Sequence, residues 1–416
     1  MIAAGPIRFP PVRPANLSSD IIEGDASMRR QVLMLTLLSA AAGANLSAAD
    51  LTPHVTAIKA VGAEGAGNEA AGAAVRELSK EPASSLPALL AAFDGASPHA
   101  ANYLRGAVEA IADRAAAQKQ ALPLKDIEAF VLDRARDPRA RRLGYELLLN
   151  VDADVEGRII PGMLLDPSPD FRRDAVERFV KAAKETPEAN KSEAVALWKQ
   201  ALSGATDADQ VKSIATELKK LGEKVDLVGH FGFLTQWKIV GPFDNRGLIG
   251  FAKSYPPEEK LDFAAKYEGQ TGEVAWSDVK TEDEFGLLDI AKAVSPYKGA
   301  VMYLAADFVS DKDRAVEFRL GTPNAWKVWL NGEPLFGRDE YHRGMAIDQY
   351  RVKVALRQGP NQILIKLCQN EQTEDWAQRY QLQFRVCESS GIAVAPVVAA
   401  RDINRTTVTV QAGGAE

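Results

Sequence analysis

Trp237-Lys-Ile-Val-Gly-Pro-Phe-Asp-Asn245, Lys327-Val-Trp-Leu-Asn-Gly332 and Gly359-Pro-Asn-Gln-Ile-Leu-Ile-Lys366 are the stretches on which the reading of this chain turns. They lie in a region, from Phe233 onward, where Trp, Phe, Tyr and Val rise and Gly and Pro punctuate. Around them the apolar residues alternate. Val316, Phe318 and Leu320 share one parity, with Glu317 and Arg319 on the other; Val352, Val354 and Leu356 alternate with Lys353 and Ala355. Leu382, Phe384 and Val386 likewise alternate with Gln383, Arg385 and Cys387. A period of two with one apolar face predicts sheets packed face to face. Asn331-Gly332, between Val328-Trp-Leu330 and Pro334-Leu-Phe336, predicts a two-residue type I′ hairpin.

Read together, the three stretches and Tyr255-Pro-Pro-Glu258 resemble the galactose-binding-like jelly-roll module of exported bacterial proteins, over about residues 233–388. The resemblance implies a β-sandwich that holds or recognises a ligand without chemistry of its own. It also implies that Asn361 turns the chain into a strand, and it carries over no ligand residue.

Residues 50–226 read differently, rich in Ala and Leu and poor in aromatics. Helices are predicted through 51–61, 70–78, 86–93, 99–115, 124–135, 188–202 and 208–221, with two more after Asp137-Pro138 and Asp166-Pro167, where the carboxylate can cap and Pro is tolerated in the first turn. Leu143, Leu147 and Leu148, like Ala175, Val176, Phe179 and Val180, keep one-sided helical spacing. The Asp-Pro, Arg, Ala/Leu pattern resembles HEAT repeats, although the two elements are closer together than in that family; an irregular helical bundle is the alternative. The expected fold is thus multidomain: an all-α HEAT- or armadillo-like solenoid at 50–226, an all-β jelly-roll sandwich at 227–388, and a C-terminal strand and tail at 389–416, including Thr406–Val410. The change of period at 221–233 predicts two halves that fold independently.

Ahead of these, Met28-Arg-Arg-Gln, the apolar run Val32–Leu38 and the small-residue tract ending at Ala49 follow the order of a signal peptide over 28–49, with an ordinary helix as the alternative. Residues 1–27, with four prolines, read as a disordered upstream extension. The mature chain would be secreted or periplasmic, without a transmembrane anchor, because the apolar segment is shorter than the ~20 residues of a membrane span. A net charge of −6 and a pI near 5.5 argue against a nucleic-acid partner. Cys368 and Cys387 both fall on the outward parity of their strands and are expected to stay unpaired.

Four scattered histidines and the lack of any metalloprotease, Cys-x-x-Cys or nucleophile-elbow motif predict a non-enzyme. A glycosidase pair among loop carboxylates such as Asp244, Glu258, Asp307, Asp339, Glu340 and Asp348 is the residual alternative. No cofactor is implied beyond a structural Ca²⁺, whose candidate ligands are Asp244, Asn245, Asp307 and Asp311, with solvated turns the competing reading. Candidate ligand-binding residues are Trp329 and Lys327, turned away from Val328 and Leu330, with Arg338, Tyr341, His342 and Arg343 in the following loop. Trp329 either stacks on a sugar ring or is covered and only packs. The partner is a glycan or a protein: a carbohydrate-binding module, with an interaction scaffold built on the solenoid and without sugar affinity, or an accessory region of a glycan-degrading system, as the alternatives. N-terminal sequencing of protein from its own host is expected to begin near Asp50, and a mature chain retaining residues 1–27 would remove the export assignment.

Overall fold

In the computed structural model, which describes residues 50–397, the run of helices gives way to strands between Phe231 and Gln236. The signal-peptide segment, the upstream extension and Thr406–Val410 lie outside the described residues. Among those described, no helix is long and apolar enough to cross a membrane.

The helices of this run are α1 Thr52–Lys59, α2 Asn68–Leu78, α3 Leu86–Ala91, α4 Pro98–Ala117, α5 Leu124–Leu132, α6 Pro138–Leu149, α7 Val155–Ile159, α8 Pro169–Glu185, α9 Lys191–Gly204, α10 Ala208–Lys220 and α11 Leu227–Phe231, and two single-turn helices, α12 Pro256–Glu259 and α13 Ile290–Ala293, follow among the strands. Asp137 caps α6 as expected, accepting from the backbone N–H groups of Arg139 and Ala140, with Pro138 in the first turn. Asp166 corrects the second expectation. The α8 helix starts one Pro later, after Ser168, and the Asp166 side chain turns inward instead. It is fully buried and takes both arms of Arg141 from α6, at 2.7 and 2.9 Å, while also accepting from the Ser168 N–H. A buried guanidinium needs a carboxylate more than a helix start needs a cap, so the acid joins α6 to α8.

The strands are β1 Gln236–Asp244, β2 Lys266–Glu268, β3 Glu273–Ala275, β4 Ser277–Lys280, β5 Leu288–Asp289, β6 Ala300–Ser310, β7 Arg314–Gly321, β8 Ala325–Leu330, β9 Glu333–Arg338, β10 Tyr350–Leu356, β11 Gly359–Gln369 and β12 Gln381–Cys387. They form a six-stranded sheet ordered β4-β1-β6-β11-β8-β9 and a four-stranded sheet ordered β10-β7-β12-β5, with antiparallel pairing throughout, and β2–β3 as a separate ribbon. The inward parity of both large sheets meets in one core, including Trp237, Ile239, Phe318, Leu320, Trp326, Val328, Ile363, Ile365 and Phe384. This is the alternation read from the sequence. Asn331 and Gly332 both take positive φ, 54° and 86°, as a type I′ hairpin demands. Asn361 is buried and bonds across its own turn to Arg357 and Gly359, so it does hold the entry to β11. The chain stays on the sheets past Glu388: Val394 enters the core, and Val397 N–H donates to Val309 C=O at 2.8 Å.

Both cysteines are free. They lie in opposite sheets and face away from the shared core, but the outer faces are covered at both positions, and both residues are fully buried. Cys368 sits in a second apolar cluster with Tyr255, Tyr303 and Trp329. Burial pushes its thiol up to about 12.

The outer face of the four-stranded sheet packs against the helices. From Thr52 on, the described residues belong to one compact unit. Phe231, Phe233, Phe285 and Ile347 share a cluster with Trp198, Ile214 and Leu218 of α9 and α10. A piece beginning at residue 227 would therefore expose Leu227, Phe231 and Phe233, against the expectation of independent halves. At the centre of this face Arg385 reaches Asp348 at 2.6 Å, Phe231 C=O at 3.1 Å and Gly391 C=O at 2.9 Å. Arg319 reaches the same Asp348, Glu317 and Ser389 C=O.

Burial alone would raise the Asp348 pKa, but the two arginines outweigh it and hold the value below the ordinary 3.8. A depressed folded-state value means that the pair stabilises fully above the unfolded pKa and fades as pH falls through the folded one. Asp348→Asn should thus lower stability at neutral pH by about 3 kcal/mol, the scale for breaking a buried pair. The gap from the parent should close in the acid, below 3.8. Urea midpoints for the two proteins from neutral to acid pH check this; a gap that does not narrow would assign the loss to something other than the charge.

Candidate functional site

A cleft of about 670 Å³ opens on the outer face of the six-stranded sheet, over the β8–β9 hairpin. That is within the ~300–1,000 Å³ of small-ligand sites. Lys327 and Trp329 line it from β8, Gly337 from β9, and Phe251, Glu258 and Glu259 from the segment that follows β1. Parity explains the first two: Val328 and Leu330 enter the core, so their neighbours face out.

Lys327 is directly opposite Gly337 in the ladder. A Cβ at residue 337 would lie 2.7 Å from Lys327 Cγ and 2.9 Å from Trp326 C=O, so only glycine leaves the lysine stem room on the cleft floor. The Lys327 ammonium sits 4.5 Å from the centroid of the Phe251 ring. The register slips between Val328 and Trp329, where β9 contributes an extra residue, and this bulge reshapes the edge of the sheet. The Asn331 side chain accepts from Gln362 N–H at 2.9 Å, tying the hairpin tip to β11.

The opposite wall is held from beneath by Lys366. This lysine is fully buried, pairs with Glu258 at 2.7 Å and donates to Lys253 C=O at 2.7 Å. The Tyr303 hydroxyl donates to the same Glu258 oxygen. Burial lowers the Lys366 pKa, with Glu258 opposing, and burial together with Glu258 raises the Tyr303 phenol. Asn245 fastens the start of the same segment: fully buried, it donates to Gln369 C=O and the Tyr341 hydroxyl and accepts from Gly250 N–H.

The structure brings only part of the expected site together. Lys327 and Trp329 share the cleft, but Trp329 is 6% exposed and packs with Leu364, Ala305 and Cys368. The covered alternative holds, and Trp329 is no open stacking platform. Arg338 lies over the Phe336 ring at 4.9 Å. Tyr341 packs on the second cluster, and burial raises its phenol pKa. His342 meets the exposed Trp376 edge-on at 4.9 Å, and Arg343 pairs with Glu340. The Ca²⁺ set also falls apart. Asp244 is opposite Ala300, and Asp307 lies seven residues further along β6, about 24 Å at ~3.4 Å per residue. Asp244 is bound by Arg246, which holds its carboxyl down to about 2, and Asp311 pairs with Arg314. Among the described residues no group of three or more His, Cys, Asp or Glu is placed to hold a metal. Phe251 and Glu259 were missed; Glu258 was weighed only as an acid. Their signal was Tyr255-Pro-Pro-Glu258, whose last residue meets Lys366 at the end of Gly-x-Asn-x-x-Leu-x-Lys.

No protein-family model matches the chain, and no curated protein matches it. Solved structures with some likeness include a β-glucuronidase from an uncultured Clostridium sp., 12% identical over 38% of this chain and 28% of that one, at a TM-score of 0.23. Others are a β-glucosidase from Kluyveromyces marxianus, 12% identical over 68% and 35% at 0.24, and a GH31 α-xylosidase from Xanthomonas citri, 12% identical over 38% and 18% at 0.17. The chain spans 35% or less of the length of these three, and TM-scores this low carry no argument about fold or activity.

Replacing Lys366 with Met should strand Glu258 in the wall without its cation and cost about 3–5 kcal/mol. Adding Glu258→Leu should return much of that loss, because the unpaired charge goes with it. Chemical denaturation of the single and double variants measures the coupling. A Lys366→Met protein as stable as the parent would show that the pair does not hold the wall.

Proposed function

We propose that this chain is an exported, non-catalytic carbohydrate-binding protein, in which a jelly-roll sandwich holds a sugar over β8–β9 and a HEAT-like solenoid carries or presents it. The observation that supports this most is the make-up of the cleft. Lys327 has no carboxylate partner among the described residues and rests on an aromatic ring, beside the open carboxylate of Glu259. A sugar needs that mixture: apolar surface for its C–H face and charged groups for its hydroxyls. The non-catalytic reading is supported by Glu258, whose carboxylate is already engaged by Lys366 and Tyr303 instead of facing a scissile bond. Export rests on the order of residues 28–49.

The interaction-scaffold reading draws on the helical half, where Leu132, Val151 and Leu165 are each at least half exposed. Large apolar side chains left open on a repeat surface are contact points for proteins.

A glycan array probed with the full chain should retain carbohydrate, and Lys327→Ala and Phe251→Ala should each weaken retention about tenfold, the scale of one lost good contact. Undiminished binding by both variants would move the site elsewhere, and no retention at all would favour the scaffold.

A further inference from the structure

Four strands form the edges of the two large sheets, and three of them are blunted. β4 has four residues and β5 two, while β9 carries Pro334 and lies against the register slip. Short length, proline and bulges all keep an edge from pairing with a stranger. β10 has none of them. Its seven residues, Tyr350-Arg-Val-Lys-Val-Ala-Leu356, hold neither proline nor glycine and pair with β7 one for one, without a slip. Alternate N–H and C=O groups of β10 therefore point away from β7, and among the described residues no other backbone segment bonds to them. Only its charged side chains guard this edge, and charge that repels some strands attracts others.

Those charges end a row across the outer face. Arg351 of β10 pairs with Arg319 of β7, and Arg319 with Arg385 of β12. Arg319 and Arg385 share Asp348. Arg351, at the open end of the row, is exposed and has no carboxylate partner among the described residues. Lys353 is exposed as well, and the carboxylate of Glu317, its ladder partner, is taken by Arg319. On the other parity Tyr350 and Val352 are only half-buried at the margin of the core, with the Tyr350 ring 5.1 Å from that of Trp326.

We propose that β10 is a docking edge for an extended segment of a partner protein in which acidic and apolar residues alternate. Such a segment adds a strand to the smaller sheet, and its backbone takes up the free groups of β10. Its acids stand on the outer face beside Arg351 and Lys353, as cross-strand pairs of opposite charge. Its apolar residues turn inward over Tyr350 and Val352. The alternation makes the edge selective, because a slip of one residue would press the acids onto the apolar margin. A second copy of β10 does not fit this edge. Laid antiparallel about Val352 or Lys353, it would set Arg351 or Lys353 against a like charge, which is destabilising. Thr406–Val410 of this chain carries no acid. The cleft over β8–β9 opens on the other sheet, so the docking edge stands apart from the carbohydrate reading.

The test uses the full chain and fluorescently labelled, capped heptapeptides in which Val alternates with Glu, Gln or Lys. Anisotropy titrations should show the Glu peptide binding about tenfold more tightly than the Gln peptide, with the Lys peptide weaker still. Arg351→Glu, an exposed change beside Arg319, should weaken the Glu peptide about tenfold and strengthen the Lys peptide, and Lys353→Gln should cost the Glu peptide about threefold. Urea midpoints matching the parent show that both variants fold. With the Glu peptide bound, amide hydrogen exchange should slow at alternate residues of β10. Slowing at β4 or β9 in its place would overturn the assignment. Equal binding of the three peptides, binding of none, or a Glu-peptide affinity untouched by Arg351→Glu would overturn it as well. Sedimentation showing a dimer whose β10 amides are protected without peptide would give the edge to a second copy and sink the proposal.

Discussion

A single buried ammonium, that of Lys366, sets the form of the outer face of the large sheet. A lysine inside a protein is costly unless its charge is met, and here Glu258, two backbone carbonyls and the faces of Tyr255 and Tyr303 meet it. All of those partners except Tyr303 come from the segment after β1. The charge therefore dictates that the segment fold down over β6 and β11, and the second apolar cluster of Phe243, Tyr255, Tyr303 and Trp329 forms beneath it. Without the cover Trp329 would stand in solvent; with it, the same residue becomes the buried margin of a cleft.

The smaller sheet obeys a similar constraint with the signs reversed. Glu317, Arg319 and Arg385 occupy the outward parity of β7 and β12, which the alternation marks as solvent-facing, yet all three are nearly or fully buried. Asp348 descends onto both guanidinium groups from the loop before β10, in a left-handed conformation at φ 60°. The spare N–H groups of the arginines are taken by carbonyls of Phe231, Ser389 and Gly391, so helix, sheet and C-terminal segment meet at one point. Buried charge thus fastens a cover onto part of each outer face, a loop on one and helices on the other.

This is also where the sequence stops being readable. The inner face is a local property: parity along one strand places Phe318, Ile365 and Phe384 in the core, and Asn331-Gly332 fixes the hairpin by the φ values its two residues tolerate. The helix starts are local as well, which is why Asp137 reads correctly. Asp166 does not, because its partner Arg141 lies on another helix and the gain from pairing is invisible to a rule about caps. Tyr341, His342 and Arg343 follow one another in the chain and still go to separate partners, Asn245, Trp376 and Glu340. Adjacency in sequence was a poor guide to adjacency in the site, while Glu258 and Lys366, more than a hundred residues apart, touch.

The rows across the large sheet carry that point further. A strand is written in order along the chain, but a row across the sheet takes one residue from each of six strands, here Asp278, Lys238, Ala305, Leu364, Trp329 and Pro334. Their order in space is set by the pairing β4-β1-β6-β11-β8-β9, which no stretch of sequence spells out. A one-residue slip in any ladder would turn that strand's contribution to the other face. The register that the inner core enforces, through Trp237, Leu304, Ile365 and Val328, is therefore what aligns the outer row. The alternation that made the fold legible thus fixes the outer face as well, and which side chains that face sets side by side becomes readable only once the strand order is known.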